Sequence, residues 1–154
     1  MVDSGGTADY ARMVSEQAND AGRVFVDFPV EYPGQVPART SFGRIGDSRA
    51  FDIDAITRAY QGYKLVFGIP GQYGFTEYWG VSGTNWPNPP ILENPSEVRE
   101  IAGHERLLFY DGTRLRLVGW KKGSRTYWVN NTLLQSLSEE EMLAIVRSMR
   151  QLGG

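Results

Sequence analysis

The chain has no cysteine and a single histidine, His104, among its 154 residues. The missing thiols exclude disulfides and thiolate metal sites, without choosing a compartment. One histidine excludes, within one chain, a histidine-based triad or a two-histidine metal centre. No apolar run approaches the roughly 18 residues that a membrane span needs, and no leader with a charged start and an apolar core opens the chain. Sixteen Lys and Arg stand against 18 Asp and Glu, with a pI near 5.4, so the basic footprint expected of a nucleic-acid binder is missing. The serines lack a Gly-x-Ser-x-Gly elbow. Gly68, Gly71 and Gly74 are not followed by a helix, which a phosphate loop requires. Internal repeats and low-complexity tracts are also absent.

Turns and aromatic strands are what the chain does have. Its 18 glycines and eight prolines fall mostly in the middle, which favours a loop-rich sheet over a helical bundle. Residues 104–110 are apolar-rich, and Asp111-Gly112 is a hairpin turn signal. Residues 115–120 alternate in part, residues 121–124 form a second turn, and residues 127–129 are aromatic and β-branched. Residues 63–69 predict a strand, with 75–81 as its hairpin partner. Residues 24–28 and 49–54 suit short strands, 97–101 a strand or short turn, and 29–48 a long connection or irregular edge strand. Residues 54–60 are undecided between a helical turn and continued strand.

Two helices are predicted. Residues 7–21 place Tyr10, Met13, Val14, Ala18 and Ala21 on one stripe. The second opens on a capping box, Ser138 with Glu141, and a matching staple, Leu137 with Met142. Its apolar stripe runs Met142, Ile145, Val146, Met149, Leu152. The expectation is α+β: one antiparallel sheet of about five to seven strands with an N-terminal and a C-terminal helix packed on one face. Residues 1–6 read as a flexible lead-in to an excised segment, and 7–152 as a single domain. Leu65, Phe67, Leu108, Leu117, Val129, Ile145 and Met149 are its expected core.

No catalytic residue, metal site or cofactor is legible. His104 reads as a strand-start or turn residue. Asp47, Asp52 and Asp54 lack the glycine and terminal glutamate of a calcium loop, so they read as the wet face of a strand. Arg114, Arg116, Lys121, Lys122 and Arg125 make a modest basic patch, either a solvated face or a surface for anions. Tyr73, Phe75, Tyr78, Trp79 and Trp86 crowd beside a loop that holds four prolines between Pro87 and Pro95. Trp120, Tyr127 and Trp128 add to the aromatics. Two readings of the loop stay open. In one, Trp79, Trp86 and Asn88 line a recognition surface with Arg114 and Arg116 nearby; in the other, the loop is a lid whose Ile91 and Leu92 close the core.

The motifs YWGVSGTNW at 78–86 and PPILENP at 89–95 resemble the C-terminal extracytoplasmic domain of actinobacterial LytR-CpsA-Psr family proteins. LFYDG at 108–112, RLRLV at 114–118, YWVNNTLL at 127–134 and MLAIVRS at 142–148 continue the likeness, which spans most of residues 60–150. The resemblance implies an accessory domain outside the cytoplasmic membrane, beside enzymes that transfer glycopolymers to peptidoglycan. Its partners would be cell-wall glycan or another cell-wall assembly protein, with membrane attachment only through an N-terminal anchor absent from this sequence. The catalytic arginines and aspartates of that family belong to a separate, preceding domain, so no catalytic role carries over. A stand-alone small enzyme or ligand carrier, with a site assembled from dispersed residues, is the alternative. Oligomeric state is left open.

Overall fold

The computed structural model describes residues 1–3, 28–42, 48–53 and 59–152. In chain order its elements are β1 (Val2–Asp3), β2 (Glu31–Pro33), β3 (Gln35–Val36), β4 (Ser41–Phe42), β5 (Arg49–Asp52), β6 (Gln61–Pro70) and β7 (Thr76–Thr84). They continue with β8 (Glu97–Ile101), β9 (His104–Asp111), β10 (Arg114–Lys122), β11 (Arg125–Asn130), α1 (Glu139–Arg147) and β12 (Met149–Gln151). The helix expected over 7–21, most of the strand expected over 24–28, and Asp47 and Asp54 lie outside the described residues. No helix among the described residues is long and apolar enough to cross a membrane.

The class is α+β, built on one antiparallel sheet in the order β4-β6-β7-β11-β10-β9-β8. β5 pairs with the same edge of β6 as β4, further along it, so eight segments fill seven strand positions. The β6–β7 hairpin holds register from Gly62↔Thr84 to Pro70↔Thr76. Ala102 and Gly103 close the β8–β9 turn with positive φ at both positions, and Gly112 and Gly123 do the same service in the next two turns. His104 starts β9 opposite Ile101. Val2–Asp3, read as part of a flexible lead-in, pair with Val36 and Gln35.

Strand alternation sends Tyr63, Leu65, Phe67 and Ile69 of β6 to one face, with Trp79 and Val81 of β7 and Tyr127 and Val129 of β11. This inner face is covered by Met142, Leu143, Ile145 and Val146 of α1, which packs across β10 and β11. The predicted capping box is present: Glu141 N–H donates to Ser138 Oγ at 3.1 Å, and Ser138 N–H to Glu141 Oε1 at 3.1 Å. Both staple residues, Leu137 and Met142, are buried.

Two expectations are corrected. The stripe through Leu152 is not continuous helix. α1 ends at Arg147, and Met149–Gln151 turn into a strand on β2. The open edge of residues 30–34 takes the backbone instead: Gly34 N–H donates to Ser148 O (2.9 Å) and Leu152 N–H to Val30 O (2.8 Å). A strand partner thus satisfies groups that a longer helix would have satisfied internally. Met149 consequently packs only half-buried on the core. Leu117 is buried as expected, in a small cluster on the outer face, because a bulge between Leu115 and Leu117 flips the alternation.

At the open end of the core lies an acid that the sequence did not single out. Glu31 is 3% exposed, with Oε1 3.1 Å from Lys122 Nζ. Tyr63 acts as a substitute ladder partner for its backbone, accepting from Glu31 N–H at 2.9 Å and donating to Glu31 O at 2.8 Å. Burial pushes the Tyr63 and Tyr127 hydroxyls well above the ordinary phenol value, so they stay protonated donors. Arg106 is buried beside them, its guanidinium 4.8 Å from the centroid of Trp120. These bonds dock β2 to the sheet.

Candidate functional site

The outer face of the sheet is built from smaller residues. β6 places Gly62, Lys64, Val66 and Gly68 there, and β7 places Tyr78, Gly80, Ser82 and Thr84. β11 adds Thr126, Trp128 and Asn130. Cross-strand register aligns Lys64, Ser82 and Trp128 in one row, and Val66, Gly80 and Asn130 in the next.

The proline loop lies on part of this face, and its anchors are structural. Leu92 seats on Gly119, where an added Cβ would come within 2.5 Å of Leu92 Cδ2. Leu92, Phe109 and Leu117 form a second small core, with Leu107 and Trp128 packed against it. Thr126 Oγ1 donates to Trp86 O at 3.1 Å, and Lys121 Nζ to Asn88 Oδ1 at 3.2 Å. Trp86 is half-buried and stacks on Tyr60, with ring centroids 6.0 Å apart and planes 13° off parallel. Asn85 clamps the loop to Gln61 through its side-chain oxygen and amide. The lid reading therefore holds for Leu92, while Ile91 stays exposed.

Beside the lid the sheet is open, and a groove of about 400 Å³ remains. Ser82, Trp128, Asn130 and Leu117 form its floor. Ile91 of the loop, Leu133 of the segment after β11, Phe51, Lys64 and Arg116 line it as well. Gly80 of β7 lets Asn130 lie close over the strand: a Cβ there would sit 3.0 Å from both Asn130 Oδ1 and Leu65 O. Arg116 arrives by the β10 bulge, whose extra residue re-aims a side chain. Its guanidinium lies 5.9 Å from the Phe109 ring centroid. Among the described residues, two cations and no carboxylate line the groove. Such a lining accepts a ring stacked on Trp128, with amide and hydroxyl hydrogen bonds and an anionic group at Lys64 or Arg116. A second cleft, between Gln35 and Arg150, has no aromatic lining.

The residues singled out from the sequence do not converge. Trp79 is 1% exposed and stacks on Phe67 at 4.5 Å in the inner core, so it cannot line a surface. That is a correction with a simple cause: Trp79 and Val81 share a face, and that face carries α1. Asn88 is tied to Lys121, and Arg114 donates to Gln135 O at 2.6 Å behind the Leu133 segment. Arg116 alone of the five reaches the groove. Lys64, Ser82, Trp128 and Asn130 went unnoticed as a set. Their signal was the every-second-residue run of small and polar types in β6, β7 and β11, which pair only through long-range register. Among the described residues no three His, Asp or Glu side chains gather as a metal site would require. No protein-family model, curated protein or solved structure matches this chain.

Proposed function

We propose that this domain is a non-catalytic recognition module of an extracytoplasmic cell-wall glycopolymer transferase, and that it holds an anionic segment of wall glycan in the outer-face groove. The observation that carries the reading is the Lys64–Ser82–Trp128 row, with Arg116 beside it and no acid among the described lining residues. A pyranose ring matches the area of an indole face, and a phosphate or carboxylate on the glycan would complement the two cations. The motif resemblance to LytR-CpsA-Psr C-terminal domains supports the cell-wall setting. A preformed sheet floor keeps the ordering cost low, consistent with millimolar to micromolar binding, roughly 4 to 8 kcal/mol.

The test is an NMR titration of the chain with phosphate- or carboxylate-bearing wall oligosaccharides and, separately, neutral peptidoglycan fragments. Shifts should map to Ser82, Trp128 and Asn130, and Trp128→Ala should weaken binding at least about tenfold while remaining folded. Binding unchanged by Trp128→Ala, or no shifts with any anionic glycan, overturns the proposal.

A further inference from the structure

Two neighbouring loops at one end of the sheet hold large apolar side chains in water. β6 and β7 stay paired as far as Pro70↔Thr76, whereas β11 leaves β7 at Asn130↔Gly80 and β4 leaves β6 at Ser41↔Gly68. The hairpin therefore projects as a two-stranded ribbon, with Tyr73 73% and Phe75 77% exposed at its tip. Beside it, the chain leaving β11 presents Leu133, 99% exposed, and Leu134. The two protrusions are tied together, since Thr132 Oγ1 and Ser136 Oγ donate to Glu77 Oε1 at 2.9 and 2.6 Å. Exposed Tyr78 lies next to that tie. Scattered exposed apolar residues are ordinary, but a group of them on linked loop tips calls for a partner.

Polar accounting and shape point to the kind of partner. Residues 70–76 and 130–137 contain no charged residue. Each loop closes on a backbone bond of its own: Gly71 N–H donates to Phe75 O, and Gln135 N–H to Thr132 O. The Asn131 side chain accepts from Thr132 N–H and Leu137 N–H and donates to Leu115 O and Leu137 O. Groups bonded in this way lose little when water is withdrawn, whereas Glu77 Oε2, at the base of the tips, has no partner among the described residues. Cations stand just behind the apolar tips, Arg114 bonded to Gln135 O and Arg116 beside Leu133. Narrow projecting tips suit a deformable phase better than a rigid protein surface, which needs a complementary patch.

We propose that this end of the domain is a membrane-interface contact, in which Tyr73, Phe75, Leu133 and Leu134 enter the headgroup–acyl boundary and Arg114 meets lipid phosphates. Aromatic and aliphatic tips with cations behind them are the composition of an interfacial binder. The proposal does not rest on the groove reading.

Co-sedimentation of the whole chain with vesicles tests it, using phosphatidylcholine alone and phosphatidylcholine mixed with phosphatidylglycerol. Wild type should bind both and prefer the anionic vesicles at low salt, and Arg114→Ala should reduce that preference. Phe75→Ser combined with Leu134→Ser removes exposed side chains outside the groove. It should lower partitioning at least about tenfold, with thermal stability and glycan binding unchanged. No binding of wild type to either vesicle, or equal binding by the double variant, overturns the proposal. So does lipid-free self-association that Phe75→Ser abolishes, which would assign the tips to a second copy of the chain.

Discussion

The two faces of one sheet are made from the same strands and do different work. The inner face carries Tyr63, Leu65, Phe67, Trp79, Val81, Tyr127 and Val129, all buried, and closes against α1. The outer face of the same strands carries Gly62, Lys64, Gly80, Ser82, Trp128 and Asn130; Phe51 lies against Gly62, the proline loop is bonded to Thr126, and on β10 Leu92 fits onto Gly119. Volume on one side buries apolar area and supplies stability. Its scarcity on the other lets a loop approach in one place and leaves a trough in the next. The buried core and the proposed recognition surface are thereby carried by neighbouring positions of the same strands.

The widest separation should appear at the helix. Ile145→Asp puts a carboxylate into a fully buried position under the sheet and should cost about 4 kcal/mol or more, enough to leave the chain largely unfolded in a urea titration. The outer-face control, Lys64→Ala, should stay within about 0.5 kcal/mol. Similar losses from both would erase the distinction between the faces.

A smaller effect tests the covered part of the outer face. Leu92→Ala should lose about 2 to 3 kcal/mol, because Gly119, Phe109 and Leu117 cannot collapse into the space. Trp86→Ala, which removes the stack on Tyr60, should lose nearer 1 kcal/mol and leave glycan binding intact. A folded Trp86→Ala protein that no longer binds glycan would move the recognition surface from the open groove to the loop.

The smallest effect lies at the rim of the inner face. Arg39 Nη1 sits 2.7 Å from Glu141 Oε2, and the guanidinium together with the Ser138 cap holds the Glu141 carboxyl below its ordinary value. A carboxyl lowered in the folded state adds stability above its unfolded value, near 4.3, and loses it as pH falls through the folded value. Both side chains are partly exposed, so the contribution should be no more than about 1 kcal/mol. Glu141→Gln should flatten the acid limb of urea stability measured against pH while changing little at neutral pH beyond the weakened cap. An acid limb as steep as in wild type would place the titrating group elsewhere.

Much of the inner face was legible because its signals are local. The capping box at Ser138 and Glu141, the Asp111-Gly112 turn and the β6–β7 hairpin each depend on residues close in the chain, and each forms as predicted. The end of α1 was not legible. Met149 and Leu152 keep helical spacing, yet their backbone is claimed by residues 30–34, more than a hundred positions earlier. Nor was the place of Trp79. The aromatic cluster in 73–86 is plain in the sequence, but whether a strand tryptophan faces core or solvent depends on which face the helix covers. The groove was least legible of all, since its members come from β5, β6, β7, β10, β11 and two loops.

The sequence by itself determined the hairpin strands between 63 and 129, the turns at 111–112 and 121–124 and the capped helix, because backbone propensity, turn chemistry and capping act over a few residues. The tertiary structure alone decided which side of the sheet is dry, where α1 yields to β12, and that Lys64, Ser82, Trp128 and Arg116 meet. Those outcomes rest on register between distant strands and on one bulge in β10, and a shift of one residue in either carries a side chain to the opposite face.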